Sequence, residues 1–235
     1  MDQKRRLEYE AAVAVSLSFI GGVLDVYCLF NYNVYAMLHT GNIIKLVTNL
    51  VDGDYWMFLD TLLVVGAFAV GIYLANVYEH HRRNGGQRGL LLISIALMVA
   101  AALIPNDCPP RELSVLKMAA ATIFGLEGAF LVHSFVRFGD YTYSATTMTA
   151  NINRLVTNIY RRVTTKNKAH NYGITVYLFI FAFFMLGVGV GYCYLHFLPE
   201  FRTGFMSLYG YNLILLAPIA CMFLLLAMTA RRDRN

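Results

Sequence analysis

Charge is what this sequence has least of. Only 14% of its 235 residues are charged and 58% are hydrophobic, whereas roughly a quarter of a soluble domain is charged. That shortage excludes an ordinary soluble fold and marks a polytopic membrane protein. Cysteine is scarce as well. Cys28, Cys108, Cys193 and Cys221 show no CxxC or Cys/His ligand spacing, and three of them lie inside apolar runs, which argues against a metal site or a disulfide framework. There is no phosphate-binding Gly-rich loop, no HExxH and no GxSxG, so nothing supports a soluble-type enzyme site. The expectation is a protein that is not an enzyme and needs no cofactor. No small-residue cleavage site follows the first apolar run, which reads as a first membrane helix rather than a removed signal. A net charge of +5 does not point to nucleic acid here, because the basic residues sit in short clusters between apolar runs, as cytoplasmic loop charges do.

What is present is an eleven-residue stretch that occurs twice. Residues 40–50 read TGNIIKLVTNL and residues 149–159 read TANINRLVTNI, with seven of eleven positions identical. Gly41 against Ala150, Lys45 against Arg154 and Leu50 against Ile159 are conservative, so only Ile44 against Asn153 differs in kind. Internal repeats of this sort are what transporter and channel folds are built from.

Six segments are expected to cross a hydrocarbon core that takes roughly 20 helical residues. They are residues 10–30, 56–78, 89–104, 113–136, 173–197 and 208–229. Pro109 and Pro110 make a tight connection after the short third segment, and Pro218 is expected to kink the last. The repeated stretches fall between the first and second segments and between the fourth and fifth. Each is too short to span: Thr-Gly-Asn is expected to break the helix, and half-helices over 41–51 and 150–162 read as re-entrant.

Charge asymmetry supports this. With the N-terminus inside, six spans put 14 basic residues in the cytoplasm and Arg111, Lys117 and Arg202 outside, with Lys45 and Arg154 in the half-helices, whereas eight spans give 12 to 5. The predicted fold is therefore an all-α membrane protein of six transmembrane helices and two re-entrant half-helices in an inverted 3+3 repeat, residues 1–104 and 105–235. Both termini are expected in the cytoplasm.

The site expected from this arrangement lies where the two half-helix N-termini approach each other at the midplane. Thr40, Gly41 and Asn42 would face Thr149, Ala150 and Asn151, and the free N–H groups would suit an anion or a polar solute. Asn42, Lys45 and Asn49 share one helix face, as do Asn151, Arg154 and Asn158. Asp25 and Glu127 are ionisable groups at membrane depth, which are costly and usually functional. They either neutralise Lys45 and Arg154 or carry protons in a coupled transporter. His39 and His133 are weaker candidates, and Gly66, Gly71, Gly187, Gly189 and Gly191 permit close helix crossings. The leading function is a transporter or channel for a small polar or anionic solute, and the alternative is a sensor or assembly factor whose broken helices only pack. The expected partners are the lipid bilayer and a small-molecule or ion solute, with no nucleic acid; a homodimer is compatible with the sequence.

The succession LSFIGGVLD, an HTGN element, FGLEGAF and a TAN copy resembles the YoaK-like family of uncharacterised bacterial multi-pass membrane proteins. The match rests most on Gly22 to Asp25 with Thr40, Gly41 and Asn42. At Glu127-Gly128 the chain departs from that family's usual Gln-Asn. The resemblance implies a fold and a bacterial inner membrane, and no particular activity.

Overall fold

A computed structural model describes residues 3–81, 86–106, 113–134, 137–138, 141–144, 148–197 and 209–232. Cys108, the Pro109-Pro110 connection, Arg82, Arg83, Arg111, Arg202 and Arg234 lie outside the described residues. The described chain is helical apart from one two-residue antiparallel strand pair, β1 (Arg137–Phe138) with β2 (Tyr141–Thr142). The helices are α1 (Gln3–Tyr32), α2 (His39–Val51), α3 (Tyr55–His81), α4 (Gly86–Ala102), α5 (Val115–Ser134), α6 (Met148–Thr165), α7 (His170–Phe197) and α8 (Leu216–Arg232).

Five helical runs are long and apolar enough to cross a membrane: Leu7–Tyr32, Tyr55–His81, Val115–His133, His170–Phe197 and Gly210–Ala230. The segment expected as a sixth span, α4, is a shorter apolar helix over Gln87–Ala102. The outward faces are apolar too, with Leu62, Val70 and Leu74 of α3 and Phe179, Phe183 and Leu186 of α7 exposed. A surface of that kind is satisfied by lipid rather than by water. The core lies around α1, of whose most apolar window 72% is buried, against 28% for α3 and for α7.

Glycine sets the main helix crossings. α1 packs along α7, and α3 along α5. A Cβ on Gly22 would lie 2.3 Å from the Phe184 carbonyl oxygen, and one on Gly125 would lie 2.6 Å from the Val64 carbonyl oxygen. Further along the same crossings, Gly191 abuts Val26 and Val23, and Gly71 abuts Ala129 and Leu126. In each pair the contacts advance together along both helices, so α1 and α7 run parallel, as do α3 and α5. The expectation that Gly71, Gly187 and Gly191 allow close packing holds; Gly66 and Gly189 face nothing within 4 Å.

Polar contacts define the two ends of this bundle. At one end, Tyr27 Oη donates to Asn212 Oδ1 at 2.6 Å, Asn106 Nδ2 donates to Asn31 Oδ1 at 2.9 Å, and Asn212 Nδ2 donates to the carbonyls of Ala102 and Ile104. These bonds gather the ends of α1 and α4 with the start of the last helical run. At the other end, Tyr172 Oη donates to the Leu7 carbonyl, Arg88 donates to the Thr229 carbonyl, and His133 and Glu79 lie 3.0 Å apart.

Two expectations about breaks change. The helices begin at His39 and Met148 rather than at residues 41 and 150, so Thr40-Gly41-Asn42 and Thr149-Ala150-Asn151 form first turns instead of breaking the chain. Leu38, which precedes α2, makes no side-chain cap bond. The stops come from left-handed residues, Gly53 at φ 76° after α2 and Lys166 at φ 54° after α6, as is usual at helix C-termini. Pro218 makes no mid-helix kink. The last run starts as a 3-10 turn, Gly210–Leu215, and Pro218 sits in the first turn of α8, where a proline costs no helical hydrogen bond.

Candidate functional site

The repeated asparagines are spent on the chain's own loops. Asn42 Oδ1 accepts from the Tyr35 N–H at 2.8 Å, and Asn42 Nδ2 donates to the Tyr35 carbonyl at 2.7 Å. Asn151 makes the same pair of bonds to Ser144, seven residues earlier in each case. Each amide thus holds the strand of chain that leads into its helix, and both are buried. The ring of Tyr35 lies 2.8 Å from where a Cβ on Gly41 would stand. In the second copy Ser144 replaces Tyr35, which is the physical reason that Ala150 is accommodated there.

Lys45 and Arg154 occupy one repeat position and do different things. Lys45 Nζ donates to the carbonyl of Asn33 at 2.7 Å and to Asn33 Oδ1 at 2.6 Å, and it stands 5.3 Å from the centre of the Tyr35 ring. Asn33 is left-handed, at φ 56°, so Lys45 braces the turn at which α1 ends. Arg154 is 3.4 Å from Asn151 Oδ1. Asn49 donates to Thr61 Oγ1 of α3 at 3.4 Å, and Asn158 donates to the Arg154 carbonyl. Thr40 and Thr149 are exposed.

The loop from Asn33 to Leu38 carries the broken end of α2 into the bundle. Met37 N–H donates to Asp25 Oδ1 at 2.9 Å, and the Ala36 carbonyl oxygen lies 2.7 Å from where a Cβ on Gly128 of α5 would stand. α2 then runs back along α3, with the rings of His39 and Phe68 3.7 Å apart. The Asp25 carboxylate thus takes an N–H of the loop before α2, while the Gly41 and Asn42 N–H groups, expected to face an anion, donate to the Leu38 carbonyl. α2 packs on α3 and α6 packs on α7, and α2 and α6 share no packed interface. Asn42 and Asn151 are accordingly not brought together.

What the fold does bring together is acid. Asp25 of α1, Asp60 of α3 and Glu127 of α5 are buried, at 5%, 0% and 0% exposure. Neither carboxyl oxygen of Asp60 or Glu127, nor Oδ2 of Asp25, has a hydrogen-bond partner among the described residues. The buried Cys28 stands within electrostatic reach of all three, and Asp25 within reach of Glu127. Among the described residues no cation forms an ion pair with any of them. Asp60 was not singled out by sequence reasoning, although an aspartate five residues into the 56–78 apolar run meets the criterion applied to Asp25 and Glu127. His133 pairs with Glu79 and stands apart from this cluster.

The chain belongs to the family described as Protein of unknown function (DUF1275), whose model matches residues 13–227. No curated protein and no solved structure matches it. Family membership and architecture together define a helical, membrane-type protein.

Proposed function

We propose that this protein is a proton-coupled membrane transporter for a small polar or anionic solute, with Asp25, Asp60 and Glu127 as the coupling groups. The observation that carries the reading is the burial of Asp60 and Glu127 in two apolar helices without a hydrogen bond or a cation among the described residues. An ionised carboxylate in such a place is very costly, and a carboxyl that gains and loses a proton as water or solute arrives is the usual reason one is kept. The protein catalyses no reaction in this account. Its partners are lipid and solute, and a homodimer is compatible with it.

The inverted repeat is part of the proposal. α1 on α7 is matched by α5 on α3, and α2 on α3 by α6 on α7. The equivalent close approaches at Gly22 and Gly125, and at Gly191 and Gly71, favour two halves, residues 1–104 and 105–235, related by a two-fold axis. α1 ends and α3 begins at one end of the bundle, while α5 ends and α7 begins at the other. We therefore read α2 and α6 as re-entrant from opposite faces, α4 as the sixth span, and both termini as cytoplasmic. The likeness to the YoaK-like proteins supports a bacterial inner membrane.

The Asn42 and Asn151 clasps favour a second reading, in which the broken helices only pack and the protein is a non-transporting sensor or assembly factor. Proton flux into proteoliposomes, compared between wild type and Glu127→Gln, separates the two: dependence on Glu127 supports transport, and no flux in either supports packing alone.

A further inference from the structure

We propose that the cavity between α6 and α7 binds a phosphate-type oxyanion. The cavity is about 400 Å³ and is lined by Arg154, Arg161, Asn153, Thr157, Asn158 and His170, together with Thr142 and Tyr177. That volume suits a small ligand. Every lining side chain carries a donor group and none is acidic; the Tyr177 hydroxyl is spent on the Thr142 carbonyl and one Asn158 N–H on the Arg154 carbonyl, which leaves Arg154, Arg161, Asn153, Thr157 and His170 to meet a ligand. Arg154 and Arg161 stand two turns apart on one face of α6, roughly 10 Å along the axis. No carboxylate among the described residues pairs with either. His170 opens α7, and its Nδ1 is buried without a hydrogen-bond partner among the described residues.

Charge and donor geometry select the ligand. Two guanidinium groups with hydroxyl and amide donors between them match an anion that has several acceptor oxygens, and arginine forks fit phosphate in particular. The α7 N-terminus adds partial positive charge.

The repeat sharpens the argument. Where the second copy has Asn153 and Arg161, the first has Ile44 and Asp52. Ile44 is 62% exposed and borders the polar face formed by Lys45, Thr48 and Asn49 in the first copy. The one position of the eleven-residue repeat that differs in kind is thus a cavity-lining position: Arg154, Thr157 and Asn158 have counterparts in Lys45, Thr48 and Asn49, and Asn153 and Arg161 are the donors that the second half adds. The opposite face of α6 is apolar and exposed at Ile152, Val156, Ile159 and Val163. That arrangement sets the cavity beside lipid as well as beside the end of the bundle, so the phosphate has two sources, a lipid headgroup or a free phosphate. The site does not depend on the coupling role of the carboxyl groups.

The test is direct binding to the purified full-length chain in a neutral maltoside detergent. Inorganic phosphate and dihexanoyl phosphatidylglycerol are titrated separately and then in competition, by calorimetry and by the shift in thermal unfolding. Wild type is expected to saturate with at least one of them. Arg161→Gln and Asn153→Ile, both at exposed positions, should weaken that binding about tenfold or more, the loss expected for a charge-assisted hydrogen bond, whereas Lys45→Gln in the first copy should not. Binding of inorganic phosphate assigns the site to a soluble ligand, and binding of the lipid alone assigns it to a headgroup. No saturable binding of either to wild type, or equal binding by wild type, Arg161→Gln and Asn153→Ile, overturns the proposal.

Discussion

Asn42 clasps Tyr35 from both sides, accepting from its N–H and donating to its carbonyl, and so holds the loop to the helix it introduces. Replacing Asn42 by Leu leaves both backbone groups without that partner, at about 1–3 kcal/mol for each unsatisfied group. Asn42→Leu should therefore lower thermal stability in detergent markedly, and Asn151→Leu should do the same through Ser144. A melting temperature unchanged in both variants would show that the clasps are dispensable.

Gly41 and Tyr35 should behave as a coupled pair. Gly41→Ala pushes a methyl group into the Tyr35 ring and should cost about 1–3 kcal/mol, as overpacking does. The double change Gly41→Ala with Tyr35→Ser reproduces the combination at Ala150 and Ser144, and it should recover most of that loss. Strict additivity in a double-mutant cycle would refute the steric account.

Asp25 and Lys45 should show no such coupling. Asp25 takes the Met37 N–H and Lys45 braces Asn33, so the effects of Asp25→Asn and Lys45→Gln on unfolding free energy should add to within about 0.5 kcal/mol. A coupling well above that would put the two charges in contact.

Much of the fold was legible in the sequence. Apolar runs long enough to span are visible by composition alone, and α1, α3, α5 and α7 each cover an expected span, with ends displaced by a few residues. Both short helices coincide with the repeat, since its apolar and polar faces alternate at helical spacing. The site was less legible. Asn42 and Asn151 were expected to meet a solute, and each holds its own loop; a polar side chain on a short helix reads the same whether it serves a solute or a loop. The loop partners Tyr35 and Ser144 differ between the copies, which hid the clasp. Asp60 was passed over although its composition signal was present, and its convergence with Asp25 and Glu127 depends on helix packing that no local pattern records. The α6–α7 cavity draws on His170 and Tyr177, which lie outside the repeat.

Topology gives an independent check on the inverted arrangement. Reporter fusions after Arg83 and after Lys168 should both read cytoplasm, and a fusion at Asp107 should read the outside. An external signal at Arg83 would make α2 a full span and the repeat a parallel one.

The most direct test of the coupling claim is proton movement itself. Full-length protein in liposomes loaded with a pH-sensitive dye is given a panel of small polar solutes and anions from outside. At least one solute should drive proton flux through wild type, and Asp60→Asn and Glu127→Gln should each abolish that flux while the variants remain folded and inserted. Flux in both variants equal to wild type, or no flux in wild type with any solute, would contradict the account.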